Sequence, residues 1–180
     1  IALVEGVPAG LPLLAADVDT QLARRQQGYG RGRRMQIEQD RMEFLSGVRA
    51  GETLGSPIAM LIRNRDWTAW QEIMDPAPRP EDDTDAGRKR QLTRVRPGHA
   101  DLTGLLKYDR DDARDILERA SARETTARVA AGAVARRLLE VLGVRIGSHL
   151  VHLGGIEVAA RTDWPEDINA AADVSPLRCL

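Results

Sequence analysis

Apolar and polar positions divide the chain into segments of two periods. Ile1 to Val4 opens an apolar run that predicts a strand over residues 1–7, closed by Pro8, Gly10 and Pro12 as a rigid turn segment. Asp17 is placed to cap a helix that passes through Leu22 and ends near Gln27. Gly28, Gly30 and Gly32 break it. Residues 35–38 and 42–45 alternate apolar and polar side chains, the pattern of two short antiparallel strands. Residues 46–55 are turn-rich, 57–63 read as another strand, and 67–74 as a short helix. Residues 75–90 carry prolines, acids and glycine without periodicity and predict a surface loop.

The longest helical pattern runs from Asp111 to about Leu142. Leu117, Ala120, Ala127, Ala131, Val134 and Leu138 form its apolar stripe. Residues 144–158 alternate again, interrupted by Gly154 and Gly155. The order strand, helix, strands, helix, strand predicts a mixed α/β or α+β architecture. No repeat and no internal boundary is visible, so residues 1–180 read as one domain.

Composition narrows the partners. Hydrophobic residues make up 42% and charged residues 29% of the 180, an ordinary globular balance. A formal net charge of -1 creates no field toward nucleic acid or membrane. Aromatics total 3%, too few for a stacking platform on single-stranded nucleic acid. Cys179 is the lone cysteine, which fits a reducing, cytoplasmic setting with no disulfide framework. No run is long enough to span a bilayer. Only Lys89 and Lys107 are lysines; the other basic residues are arginines, whose planar fork suits phosphate and carboxylate.

Three clusters carry candidate chemistry. Arg24, Arg25, Arg31, Arg33 and Arg34 surround the glycines of residues 28–32, so they describe either a phosphate clamp or a solvated basic loop. In residues 94–101, Pro97 fixes the backbone and Gly98 frees it, holding His99 between Arg96 and Asp101. That histidine is either a proton carrier near neutral pH or a turn residue satisfied by its own loop. In a continuous helix Arg119, Arg123 and Thr126 share a face bordering the apolar stripe; in a helix that starts near Ser121, the first turn offers N–H groups to an anion. Internal ion pairs account for the same spacing equally well. His149 and His152 have no partner at zinc-ligand spacing and read as structural, so no metal site is expected.

Taken in order, these segments resemble chorismate synthase. The match is carried by Arg25, Arg31, Gly32, Arg34 and Met35; by Arg96, Pro97, Gly98, His99, Ala100 and Asp101; and by the run from Glu118 to Gly132. Residues 45–49 and 54–59 add to it, and the order and spacing fit essentially the whole chain. Each motif alone is weak, whereas the ordered set is very specific.

The resemblance implies a carbon–oxygen lyase: 1,4-elimination of phosphate from 5-enolpyruvylshikimate 3-phosphate to give chorismate, with reduced FMN. It implies an α+β fold with helices packed between antiparallel sheets, and a homotetramer. It places Arg25, Arg31, Arg34, Arg96 and Arg123 on substrate, and Arg119, Ala120 and Ser121 on FMN. His99 is assigned the proton on the reduced flavin ring. Where NADPH is the reductant, Arg25 and Arg31 are its contacts. The family's Gly-Glu-Ser-His-Gly motif falls before the segment matching Ile1, and its C-terminal half falls after residue 180. The 180 residues are therefore expected to be the N-terminal part of a longer enzyme and to show little activity alone. The competing reading is an RNA-binding module built on the Arg/Gly loop; near-zero net charge and arginines interleaved with acids weigh against it.

Overall fold

The computed structural model describes residues 1–29, 39–78, 91–117, 120, 122–159 and 161–180. Its centre is a three-stranded antiparallel sheet of β1 (Ala2–Val4), β5 (Ile58–Ile62) and β2 (Met42–Ser46), with β5 in the middle. Ala2 faces Met60, Val4 faces Ile58, and Met42 faces Ile62, so one parity of each strand forms a single apolar face. Helix α1 (Ala15–Gln26) and helix α4 (Ala122–Val141) cover it. Leu13, Val18, Leu22, Ile58, Met60, Ala130 and Val134 are completely buried there. Each large apolar side chain among them contributes about 1.5–3 kcal/mol by leaving water.

Local chemistry explains the element ends. Asp17 does cap α1, but from its third position: Leu14 is the N-cap residue and its backbone N–H donates to Asp17 Oδ2 at 2.8 Å. Asp19 accepts from the Met42 N–H at 2.9 Å and so ties the start of β2 to α1. The turn-rich segment is a hairpin of β3 (Val48–Arg49) and β4 (Glu52–Thr53). Its two loop residues, Ala50 and Gly51, both have positive φ (53° and 81°), as a two-residue hairpin twist demands. A second hairpin joins β6 (His152–Leu153) to β7 (Ile156–Glu157) through Gly154 and Gly155.

Several expectations change. Strand β2 pairs with β5, its partners lying 13 to 20 residues later in the chain; residues 35–38, the expected partner, lie outside the described residues along with 79–90 of the expected loop. Residues 65–69 form a single 3-10 turn instead of a regular helix. The long helix of residues 111–142 is two helices, α3 (Ala113–Leu117) and α4. Of the expected stripe, Val134 is buried and Ala127 packs on the core, while Ala130 and Ala133 are buried where Ala131 was expected. Two helices went unread: α2 (Asp101–Tyr108) and α5 (Ile168–Asp173). Among the described residues, no helix is long and apolar enough to cross a membrane.

Candidate active site

The segment that carries His99 is anchored at both ends. Upstream, Leu92 N–H donates to Asp112 Oδ1 at 3.0 Å while the Leu92 carbonyl accepts from Ala113 N–H at 2.9 Å. Asp112 also accepts from Arg114 N–H at 2.9 Å, which makes it the cap of α3. Downstream, the chain turns back through Arg96, Pro97, Gly98 and His99, closed by a bond from His99 N–H to the Arg96 carbonyl at 3.3 Å. Pro97 in the second position and Gly98 at φ 69° in the third are the residues a type II turn requires. Helix α2 starts immediately after, with Asp101 in its first turn, where an anion is favoured by the helix dipole.

Asp101 is the hub. Its side chain is 2% exposed, yet it is charged and fully engaged. Oδ2 accepts from the Arg96 backbone N–H at 3.0 Å and from Arg96 Nε at 2.9 Å; Oδ1 accepts from Arg96 Nη2 at 2.9 Å. His99 Nδ1 lies 3.0 Å from that same Oδ1 and 3.0 Å from Arg96 Nη2. The guanidinium hydrogen bonds outweigh burial and hold the Asp101 carboxyl well below the usual carboxylate range, and the same contact raises Arg96. Stability from such a depressed acid is in place above the ordinary carboxylate value of about 4 and is lost as pH falls below it. Carbon-13 titration should therefore show Asp101 ionised after exposed carboxylates have protonated. Asp101→Asn should lose less stability than the unaltered protein between about pH 5 and about pH 3.

His99 opens onto a cleft of about 1050 Å³ between α2, α3 and the start of α4, within the range of ordinary ligand sites or slightly above it. Thr103 and Lys107 continue the His99 side of α2, and Ala120, Glu124 and Arg128 form the opposite wall. Gly104 sets how closely α3 approaches: a Cβ there would stand 2.4 Å from Ile116 Cγ2. Two cations of the cleft are already paired, Arg110 with Asp115 at 2.6 Å and Arg128 with Glu124 at 2.8 Å. Lys107 Nζ sits 5.2 Å from the Tyr108 ring centroid. Among the described residues, no three His, Cys, Asp or Glu side chains come together as a metal site.

The predicted site residues are thus partly assembled. Arg96 and His99 meet on Asp101, and His99 and Ala120 share the cleft. Arg25 is elsewhere, near the end of α1, buried in an ion pair with Asp40 at 2.9 Å and absent from the cleft wall. Arg31, Arg34, Arg119 and Ser121 lie outside the described residues, and so does the side chain of Arg123. Sequence reading missed Lys107 and Arg128; the four-residue step from Thr103 to Lys107, once a helix is placed there, is the signal that finds the first.

The sequence profile described as chorismate synthase matches residues 1–180. The chain belongs to the chorismate synthase family. It is 53% identical over 179 residues to chorismate synthase 1 of Bacillus thuringiensis (strain Al Hakam), covering 99% of this chain and 46% of that one. It is 56% identical over 181 residues to chorismate synthase of Geobacillus kaustophilus (strain HTA426), again 99% of this chain and 46% of the relative. A solved structure titled "Crystal Structure of Chorismate Synthase" superposes with a TM-score of 0.69 at 40% identity, over 98% of this chain and 43% of the other. The chain spans about half the length of the curated relatives it matches. That likeness and the observed helices and antiparallel sheets agree with an α+β fold.

Proposed function

We propose that this chain contributes the Arg96–His99–Asp101 part of a chorismate synthase active site. The reaction is 1,4-elimination of phosphate from 5-enolpyruvylshikimate 3-phosphate to chorismate. The observation that carries the proposal is the meeting of a guanidinium and an imidazole on one buried carboxylate, at the mouth of a cleft, in a chain of this family. The cleft suits reduced FMN: its volume is ample, Lys107 offers an ammonium to an anionic ligand, and Ala120, one of the expected flavin contacts, lines it. Reduced FMN, when bound, supplies electron density as the phosphate leaves.

The chain's own residues then have separate tasks. Arg96 presents a guanidinium already oriented by Asp101 to a carboxylate or phosphate of the substrate. His99 holds or releases a proton beside the flavin ring. The family resemblance assigns Arg25, Arg31, Arg34 and Arg123 to the remaining anionic groups, Arg25 from outside this cleft wall, where Asp40 is its ion-pair partner. Arg119 and Ser121 complete the flavin contacts. NADPH, where it reduces the flavin, would use Arg25 and Arg31. A homotetramer with helices between its sheets and a cytoplasmic location complete the reading. The test is anaerobic assay of the full-length enzyme with reduced FMN and the enolpyruvyl substrate. Phosphate and chorismate should appear one for one; phosphate without chorismate, or neither product, refutes the proposal.

A further inference from the structure

We infer that Asp101 is the positioning residue for His99, fixing the neutral ring as its Nδ1–H tautomer and making Nε2 the atom at which protons are taken up and released. The inference rests on the proton role proposed for His99 and adds which atom performs it. Every contact to Asp101 comes from a donor: Arg96 N and Nε on Oδ2, Arg96 Nη2 on Oδ1. His99 Nδ1 is the fourth neighbour, 3.0 Å from Oδ1. It also stands 3.0 Å from Arg96 Nη2, which can only donate. A bare Nδ1 would accept from Nη2 but would set its lone pair against an anionic oxygen. A protonated Nδ1 makes a charge-assisted bond to that oxygen, roughly twice as strong as a neutral one. The carboxylate therefore decides the tautomer. Both the neutral ring and the imidazolium keep Nδ1–H on Asp101, so the ring stays in place while Nε2 exchanges its proton with the cleft that His99 lines.

The test is the ring nitrogen-15 spectrum of His99 in the full-length enzyme, assigned by the signals lost in His99→Ala. The unaltered protein should show Nδ1–H in the neutral ring. In Asp101→Asn the amide oxygen keeps the two Arg96 bonds of the Oδ2 position, and the NH2 takes the Oδ1 position, where a bare His99 Nδ1 can accept from it. The ring should then shift toward Nε2–H, with kcat lower by about tenfold or more; KM rises as well, because Arg96 loses the carboxylate that orients it. Nε2–H in the unaltered protein, or Nδ1–H unchanged in Asp101→Asn, overturns the inference. If Asp101→Asn does not fold, the unaltered spectrum decides alone: Nδ1–H supports the assignment and Nε2–H overturns it. Failure of the proposed reaction shows separately, as unaltered enzyme with the expected tautomer and no product.

Discussion

His99→Ala in the full-length enzyme should lower kcat by about 10²–10⁴-fold, the range of a positioned proton-transfer group. The fold should survive the change. His99 is only partly buried, and Asp101 retains three contacts from Arg96 when the imidazole is gone. Melting temperature should therefore stay near that of the unaltered protein while turnover collapses. Stopped-flow measurement under reducing, anaerobic conditions separates the chemical step from substrate binding, and the loss should fall on the former. Unchanged turnover would sink the proton role outright.

Gly47→Ala should be the most destabilising single methyl addition in the sheet, at about 2–4 kcal/mol. Two costs coincide there. Gly47 has φ 83°, a conformation that an L side chain resists. An added Cβ would also stand 2.6 Å from Ile58 Cα and 2.6 Å from the Pro57 carbonyl oxygen, backbone atoms of the central strand. They cannot move without disturbing β5, whose Ile58 is fully buried. Gly10→Ala is the control: its φ is 81° but no atom lies within 4 Å of the new Cβ. It should cost about 1 kcal/mol, the conformational part alone. Denaturant melts of the two variants read the difference directly. Equal losses would show that the contact at Ile58 contributes nothing.

How far the sequence reveals this molecule depends on the range of each interaction. Strand β5 and the start of α1 were readable because their signals are local: an apolar run after Pro57, and an acid one turn into a helix. The pairing of β2 was not, because it depends on which strand the remaining chain brings to its edge. Helix α2 was hidden by Gly104, a poor helix former whose reason is Ile116 pressing against it from α3. The buried face of α4 was read correctly at Ala127 and Val134 but missed at Ala130 and Ala133, because alanine stands at 127, 130, 131, 133 and 135 and apolarity alone does not choose among them.

The candidate site was legible in the same uneven way. The Pro97–Gly98 turn and the neighbours of His99 follow from adjacent residues, and the structure joins them as expected. That Asp101 serves both Arg96 and His99 required coordinates, since spacing alone allowed several pairings. The Arg25 ion pair with Asp40 was equally invisible, because fifteen residues separate the partners. Motif order pointed to the chemistry, and geometry supplied the contacts that join Arg96 and His99 on Asp101.

The central sheet also sets a timetable for synthesis. Its three strands are complete once residue 62 has emerged, but α4 reaches the core only with Ala130 and Val134. At ribosomal rates of roughly 5–20 residues per second, that interval lasts about 4–14 s. Through it, α1 lies against β2, while β1 and β5 lack α4, the helix that packs on them. Val18 and Leu22 of α1 likewise wait for their second neighbour. The nascent chain thus passes through a stage with part of its apolar core open to water, and that stage is where a chaperone would find it.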